Sequence, residues 1–337
     1  MKTHLSPLLS KSGKLLLMIF TLAAILVCGG CFNTASNDNT SERTSLLEEN
    51  EATTVTIYFT TSNHSLLLPL NMTVPATREV AQTSLEKLLA GPPNDFAFTV
   101  VPADTKLIDL YIADKDKIVY ADLTSQVTQV ASASEAAVLL NSIVNTVLAS
   151  APEYQLQILV DGQKISDIGG LDVSSPLSAS SPNILNPGTQ GTSLTYYFGD
   201  DMAMYLVPQT LIVEASAITN QAAPQEDLAK IAIEQMLKGP QENSGSYRTI
   251  WQGTKLLNLK LQDGIAYVDF SKEVLGYGGG TAAERMLVDS LTYSLTNIEG
   301  INAVQLLVEG KTLEFLPEGT DVSQPISPSV PLNLVTD

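Results

Sequence analysis

Two cysteines, Cys28 and Cys31, and two histidines, His4 and His64, are the residues of this chain best suited to nucleophilic or metal chemistry. A zinc site needs three or four Cys, His or carboxylate ligands brought together. A disulfide framework needs cysteines spread through a domain. A lone Cys-Gly-Gly-Cys near one end provides neither. A Ser-His or Cys-His catalytic pair would rest on His64 alone, because His4 lies in a targeting segment. His64 itself precedes the apolar Leu66-Leu67-Leu68 and reads as a surface residue.

Other motifs invite chemistry and are outweighed by plainer readings. Gly276-Tyr277-Gly278-Gly279-Gly280 before a helix resembles a phosphate cradle. The P-loop closes with Gly-Lys-Ser/Thr, whereas Thr281-Ala282-Ala283 follows here, so the run reads as a helix-entry loop. Asp122 and Asp269 stand at equivalent positions and suit general acid or base work. That work requires two carboxylates with separated pKa values in one cleft, and a loop-capping role is favoured. Asp114-Lys115-Asp116-Lys117 lacks the glycine and distal Glu of a calcium loop. Tyr196, Tyr197, Tyr205 and Tyr267 suit a glycan groove, but aromatic residues at strand spacing belong more often to a core or sheet surface.

Composition narrows the classes further. The chain has 337 residues, 18 Lys+Arg against 36 Asp+Glu, and a net charge of −18. That charge excludes a nucleic-acid partner, whose phosphates demand a basic surface. With 44% apolar residues and a mean hydropathy of +0.13, the chain is neither disordered nor membranous as a whole. Its length suits about two domains.

The N-terminus reads as an address. Lys2, Lys11 and Lys14 precede an apolar run from Leu15 to Val27, too short to span a bilayer but suited to a signal peptide. Small residues follow, and Gly29-Gly30-Cys31 resembles a bacterial lipobox. Cys31 is the candidate for lipidation, better than Cys28, which follows the bulky Val27. An ordinary cleaved signal or an uncleaved anchor are the alternatives. Loss of residues 1–30 removes three lysines and no acid, leaving a net charge of −21. Residues 31–53, polar and without periodicity, read as a flexible tether.

The remainder is one unit written twice, with an offset close to 148 residues. Thr56-Ile57-Tyr58-Phe59 returns as Thr195-Tyr196-Tyr197-Phe198, and Leu67-Leu68-Pro69 as Leu206-Val207-Pro208. Ile118-Val119-Tyr120-Ala121-Asp122-Leu123-Thr124 returns as Ile265-Ala266-Tyr267-Val268-Asp269-Phe270-Ser271. Gln157-Ile158-Leu159-Val160-Asp161-Gly162 returns as Gln305-Leu306-Leu307-Val308-Glu309-Gly310.

Helical periodicity also appears twice. Ala81, Ser84, Leu85, Leu88 and Leu89 share a face, as do Ala229, Ala232, Ile233, Met236 and Leu237. Each helix is closed by Gly-Pro, at Gly91-Pro92 and Gly239-Pro240. A second helix carries Leu139, Ser142, Ile143, Thr146 and Val147, matched by Leu287, Ser290, Leu291, Ser294 and Leu295. Its small residues should let it lie close to a sheet. Capping boxes are expected at Ser132-x-x-Glu135 and Thr281-x-x-Glu284. Gln262-Asp263-Gly264 reads as a hairpin turn.

Each unit therefore reads β-β-α-β-β-α-β, an α+β fold with two helices on one face of a small mixed sheet. The repeats occupy residues 54–173 and 194–323, with a Ser/Pro linker over 174–193 and a tail over 324–337.

These residues resemble the tandem GerMN domain family. The second copy carries the pattern in Met236-Leu237-Lys238-Gly239-Pro240, in Gly264 to Ser271 and in Val304 to Lys311. The resemblance spans both repeats and the lipoprotein N-terminus. It implies a fold similar to the ring-building motif. It also implies a non-enzymatic role in sporulation and germination, without cofactor, on the extracytoplasmic face of a Gram-positive membrane. Protein components of an envelope complex linking mother cell and forespore are the implied partners, with self-association open. A peptidoglycan-binding or peptidoglycan-modifying protein is the alternative.

In a bacterial host, Cys31→Ser should abolish incorporation of a labelled fatty acid, while Cys28→Ser should leave it intact.

Overall fold

In the computed structural model, which describes residues 52–276, 278 and 280–336, each repeat is built from a ribbon, two helices and a second sheet. Alternation in β1 (Ala52–Thr60) buries Val55, Ile57 and Phe59 on one face. β1 pairs antiparallel with β2 (Leu67–Pro75) to make the ribbon. Helix α1 (Val80–Ala90) turns Ser84, Leu85 and Leu88 inward and stops at Gly91, whose φ of 92° disfavours other residues. Strands β3 (Leu107–Ala113) and β4 (Ile118–Leu123) form an antiparallel pair. Helix α2 (Ala133–Leu148) then carries the chain to β5 (Gln155–Val160), which pairs parallel with β4. The sheet is mixed, as the alternating pattern and the helical crossover require.

The second repeat follows the same order. It has β6 (Thr192–Asp200), β7 (Leu206–Val213), α3 (Pro224–Lys238), β8 (Leu256–Gln262), β9 (Ile265–Phe270), α4 (Gly280–Thr296) and β10 (Ala303–Val308). Its ribbon is offset from the first by 139 residues, not 148. The difference is a longer β7–α3 connection that includes a 3₁₀ turn, Ala215–Ala217. The Asp263-Gly264 turn is realised with both residues at positive φ, 53° and 77°.

The α+β expectation holds, with the strands of each repeat divided between a ribbon and a separate mixed sheet. The helices join them: α1 and α2 both pack on β1, and α2 also packs on β5. Val119, Ala121, Leu123, Leu156 and Ile158 of the mixed sheet meet the helices in one buried core. The small residues of the second helix do more than permit approach. Ser142 Oγ donates to Tyr58 O at 2.5 Å, and Thr146 Oγ1 accepts from Tyr58 N at 2.9 Å. The helix thereby satisfies the edge of β1 that faces away from β2. In the second repeat Ser294 Oγ accepts from Tyr197 N at 3.0 Å.

The two expected capping boxes diverge. Ser132 Oγ accepts from Glu135 N at 3.1 Å, and Glu135 reaches back to the amide of Ala131 at 2.8 Å. Thr281 is not the cap of its helix. α4 already begins at Gly280, so Thr281 lies inside the helix, and Glu284 is fully buried. Its carboxylate accepts from the amides of Glu318 and Thr320, pinning a loop that follows β10.

Glu284→Ala leaves those amides without their charged acceptor and should destabilise the protein by about 2–3 kcal/mol in chemical denaturation. The same substitution at the half-buried Glu135 should have a smaller effect.

Candidate functional site

The outer edges of β2 and β7 face each other where the repeats meet. An open strand edge presents unpaired backbone groups and needs cover. Proline at Pro69 and Pro208 removes one donor from each edge and leaves its carbonyl. Two asparagines fill the space between the edges. Asn183 Oδ1 accepts from Leu67 N at 2.8 Å, while its Nδ2 donates to Leu67 O at 2.9 Å and Pro208 O at 2.7 Å. Asn333 repeats this with the repeats exchanged. Its Oδ1 accepts from Leu206 N at 2.8 Å, and its Nδ2 donates to Leu206 O at 2.7 Å and Pro69 O at 2.8 Å. Both residues sit at positive φ, 54° and 49°, a conformation that asparagine tolerates. A carboxylate here would lack the two amide donors.

The backbone beside each asparagine continues the exchange. Thr210 N donates to Asn183 O at 3.2 Å and Leu185 N to Thr210 O at 2.9 Å, so the arm after the first repeat lines β7 of the second. Asn71 N donates to Asn333 O at 3.2 Å, and Leu334–Val335 pairs parallel with β2 of the first repeat. Tyr205 and Val207 of β7 complete the core of the first repeat, and Tyr205 Oη accepts from Asn94 Nδ2 at 2.7 Å. The repeats are therefore not separately complete. The 174–193 stretch is bonded to both of them, and the C-terminal stretch carries a strand of the first.

Two cavities flank this junction. One, of about 800 Å³, lies between Asn94 and Phe96 of the first repeat, Met204, Arg285 and Tyr293 of the second, and the last residues of the chain. Arg285 Nε is 3.3 Å from Asp289 Oδ2. Burial raises the Asp289 carboxyl, and the guanidinium partly offsets this. The second cavity, of about 680 Å³, belongs to the second repeat and is lined by Asp200, Tyr247, Arg248, Trp251, Gly278 and Met286. Its two charges already serve the backbone. Asp200 Oδ1 accepts from Met204 N and Tyr205 N at 2.7 and 3.0 Å, closing the β6–β7 turn. Burial nevertheless raises that carboxyl above its ordinary range. Arg248 donates to the carbonyls of Leu237 and Lys238, which end α3. Gly239 sits at φ 87°, which disfavours other residues, and a Cβ there would also displace the Arg248 guanidinium.

The sporulation and spore germination family, Germane, matches residues 56–166 and 195–314, the two repeats in turn. The chain belongs to this family. It is 22% identical over 317 residues to the spore germination protein GerM of Bacillus subtilis, covering 87% of this chain and 82% of that one. The solved tandem GerMN domains of GerM from the same organism superpose with a TM-score of 0.59 at 21% identity, covering 85% of this chain and all of that one. The tandem fold is thereby shared.

Within these Germane repeats the expected site residues take structural places. Asp122 Oδ1 accepts from Gly162 N at 2.9 Å, and Asp269 Oδ1 from Gly310 N at 2.8 Å. Each holds the turn that follows the parallel strand of its mixed sheet, β5 or β10. His64 is exposed, at φ 57°, with its ring edge against Phe98. Tyr196 is core, and burial pushes its hydroxyl up to about 12. Burial, with Tyr58 and Tyr293 nearby, also raises Tyr197. Tyr205 bridges the repeats and Tyr267 is half-buried in β9, so the four tyrosines line no common groove. In the glycine run, Tyr277 and Gly279 lie outside the described residues, as do Cys28, Cys31 and His4. Among the described residues no three His, Cys, Asp or Glu side chains gather to hold a metal, and no helix is long and apolar enough to cross a membrane.

Sequence reading missed Asn183, Asn333, Asp200 and Arg248. The available signal was the recurring Leu-x-Pro together with two Asn-aliphatic-aliphatic stretches, Asn183-Ile184-Leu185 and Asn333-Leu334-Val335. Asn333→Ala should lower stability by about 1–3 kcal/mol, because it leaves the Leu206 amide and two carbonyls without their partner. Hydrogen exchange should then rise at the Leu206 and Asn71 amides, in both repeats at once.

Proposed function

We propose that this protein is a non-enzymatic, membrane-tethered lipoprotein that assists assembly of an envelope complex between mother cell and forespore. The observation that carries the reading is the use made of the polar residues best placed for chemistry. Asp122 and Asp269 hold turns, Glu284 pins a loop, and the paired asparagines hold the repeats together. Gln157 Nε2 and Gln305 Nε2 likewise donate to the carbonyls of Val173 and Val322. Such groups serve a rigid body that presents surface to partners. The kinship with GerM supports the sporulation and germination setting, and the lipobox-like Gly29-Gly30-Cys31 supports the tether.

One observation favours the alternative of binding wall glycan. Tyr247 and Trp251 are exposed at the second-repeat cavity, where aromatic faces suit sugar rings. Two measurements separate these readings. Disruption of the gene in a sporulating host should block or delay spore development, and in-cell cross-linking should capture envelope proteins. Normal development would sink the scaffold. Co-sedimentation with purified peptidoglycan, lost in Trp251→Ala, would favour the alternative, and release of muropeptides would make it an enzyme.

A further inference from the structure

The arm Leu332–Val335 completes an edge that belongs to a distant part of the chain. We infer that the outer edge of β2 is a self-association surface whose occupant is the C-terminal arm, supplied either by the same chain or by a second copy. In the exchanged form, the arm of each chain completes the first repeat of the other. The inference rests on the arm geometry and stands apart from the proposed function.

Three features carry it. First, exchange already operates inside the molecule, since the arm of each repeat docks on the other repeat through the same Asn-aliphatic-aliphatic signature. The edge thus accepts an arm from a neighbouring copy of its own unit. Second, the two arms are held unequally. The first is extended by Asn186, whose side chain bonds Ile212 N and Ile212 O at 2.9 Å each, and its chain continues into β6. The second is held by the Asn333 side chain and a two-residue strand, Leu334–Val335.

Third, the connection is suited to exchange. Ile326 is fixed to Val304 by bonds of 2.8 and 2.9 Å, and the exposed stretch 327–331 follows. Ser327 Oγ donates to Asn302 O at 2.8 Å, and Tyr293 Oη donates to Val330 O at 2.6 Å. Pro328 and Pro331 favour an extended chain and have no amide to satisfy. Because closed and exchanged forms share the same docked contacts, the balance between them is set by connection strain and effective concentration, as in domain swapping. Arms held in the same chain have an effective concentration on the order of millimolar. Exchange should therefore be sparse in dilute solution and grow as the protein is crowded.

The test uses the compact unit Leu47–Asp337, which contains no native cysteine. Val335 is the registered partner of Met72 across the parallel pair. A chain carrying Met72→Cys is mixed with one carrying Val335→Cys under diamide, over a range of concentrations. A covalent heterodimer that accumulates with concentration is expected, and it should be lost when the Val335→Cys chain also carries Asn333→Ala. The double variant Met72→Cys/Val335→Cys in one chain should close internally, which verifies the register. Asp263→Cys, at an exposed turn, replaces Val335→Cys as the control for random collision. If the internal bridge forms while the mixed chains give no more heterodimer than the control, the arm serves its own chain alone and the inference is overturned.

Discussion

The junction depends on backbone hydrogen bonds supplied by two asparagine side chains. β2 and β7 present their outer edges to each other without pairing as strands. A short amide with two donors and an acceptor can read both edges at once. Asn183 and Asn333 do this with the repeats interchanged. Desolvating those edges without partners would expose the fold to the large penalty of buried, unpaired backbone groups. The prolines at the equivalent positions Pro69 and Pro208 fit the same solution, because each removes a donor for which no acceptor is needed.

From this constraint follows the cohesion of the tandem. The ribbon of the second repeat sends Tyr205 and Val207 into the core of the first, and the C-terminal strand lies on the first repeat's edge. The two Germane repeats share surface, core and strands, and the cavities on either side inherit their shape from that arrangement. The charged groups that line the second-repeat cavity, Asp200 and Arg248, close a turn and end a helix, which ties local electrostatics to the fold.

Much of each repeat was legible because its information is local and appears twice. The helical faces, the Gly-Pro stops and the Asp263-Gly264 turn all follow from side-chain spacing and φ preference. Asp122 and Asp269 were read as loop caps, and they are. The failure at Thr281-x-x-Glu284 is instructive. The pattern is the same as at Ser132-x-x-Glu135, but α4 starts one residue before Thr281, and a buried Glu284 finds two amides beyond β10. A local signature cannot register an acceptor that is claimed by a distant loop. The arms were illegible for a related reason. Their Ser, Pro and Asn content averages to the composition of a linker, while their partners lie on strands far along the chain.

By itself the sequence determined the duplicated β-β-α-β-β-α-β unit, the faces its helices bury, the acidic balance and the scarcity of nucleophiles. These are matters of composition and of periodicities set by the covalent chain, so no distant contact is needed to read them. Only the tertiary structure decided that β2 and β7 meet edge to edge, and that the stretches on either side of Asn183 and Asn333 are exchanged arms. The reason is that every strand edge carries the same backbone groups. Which edge an asparagine amide satisfies is settled by where the whole chain places it, not by the residues beside it.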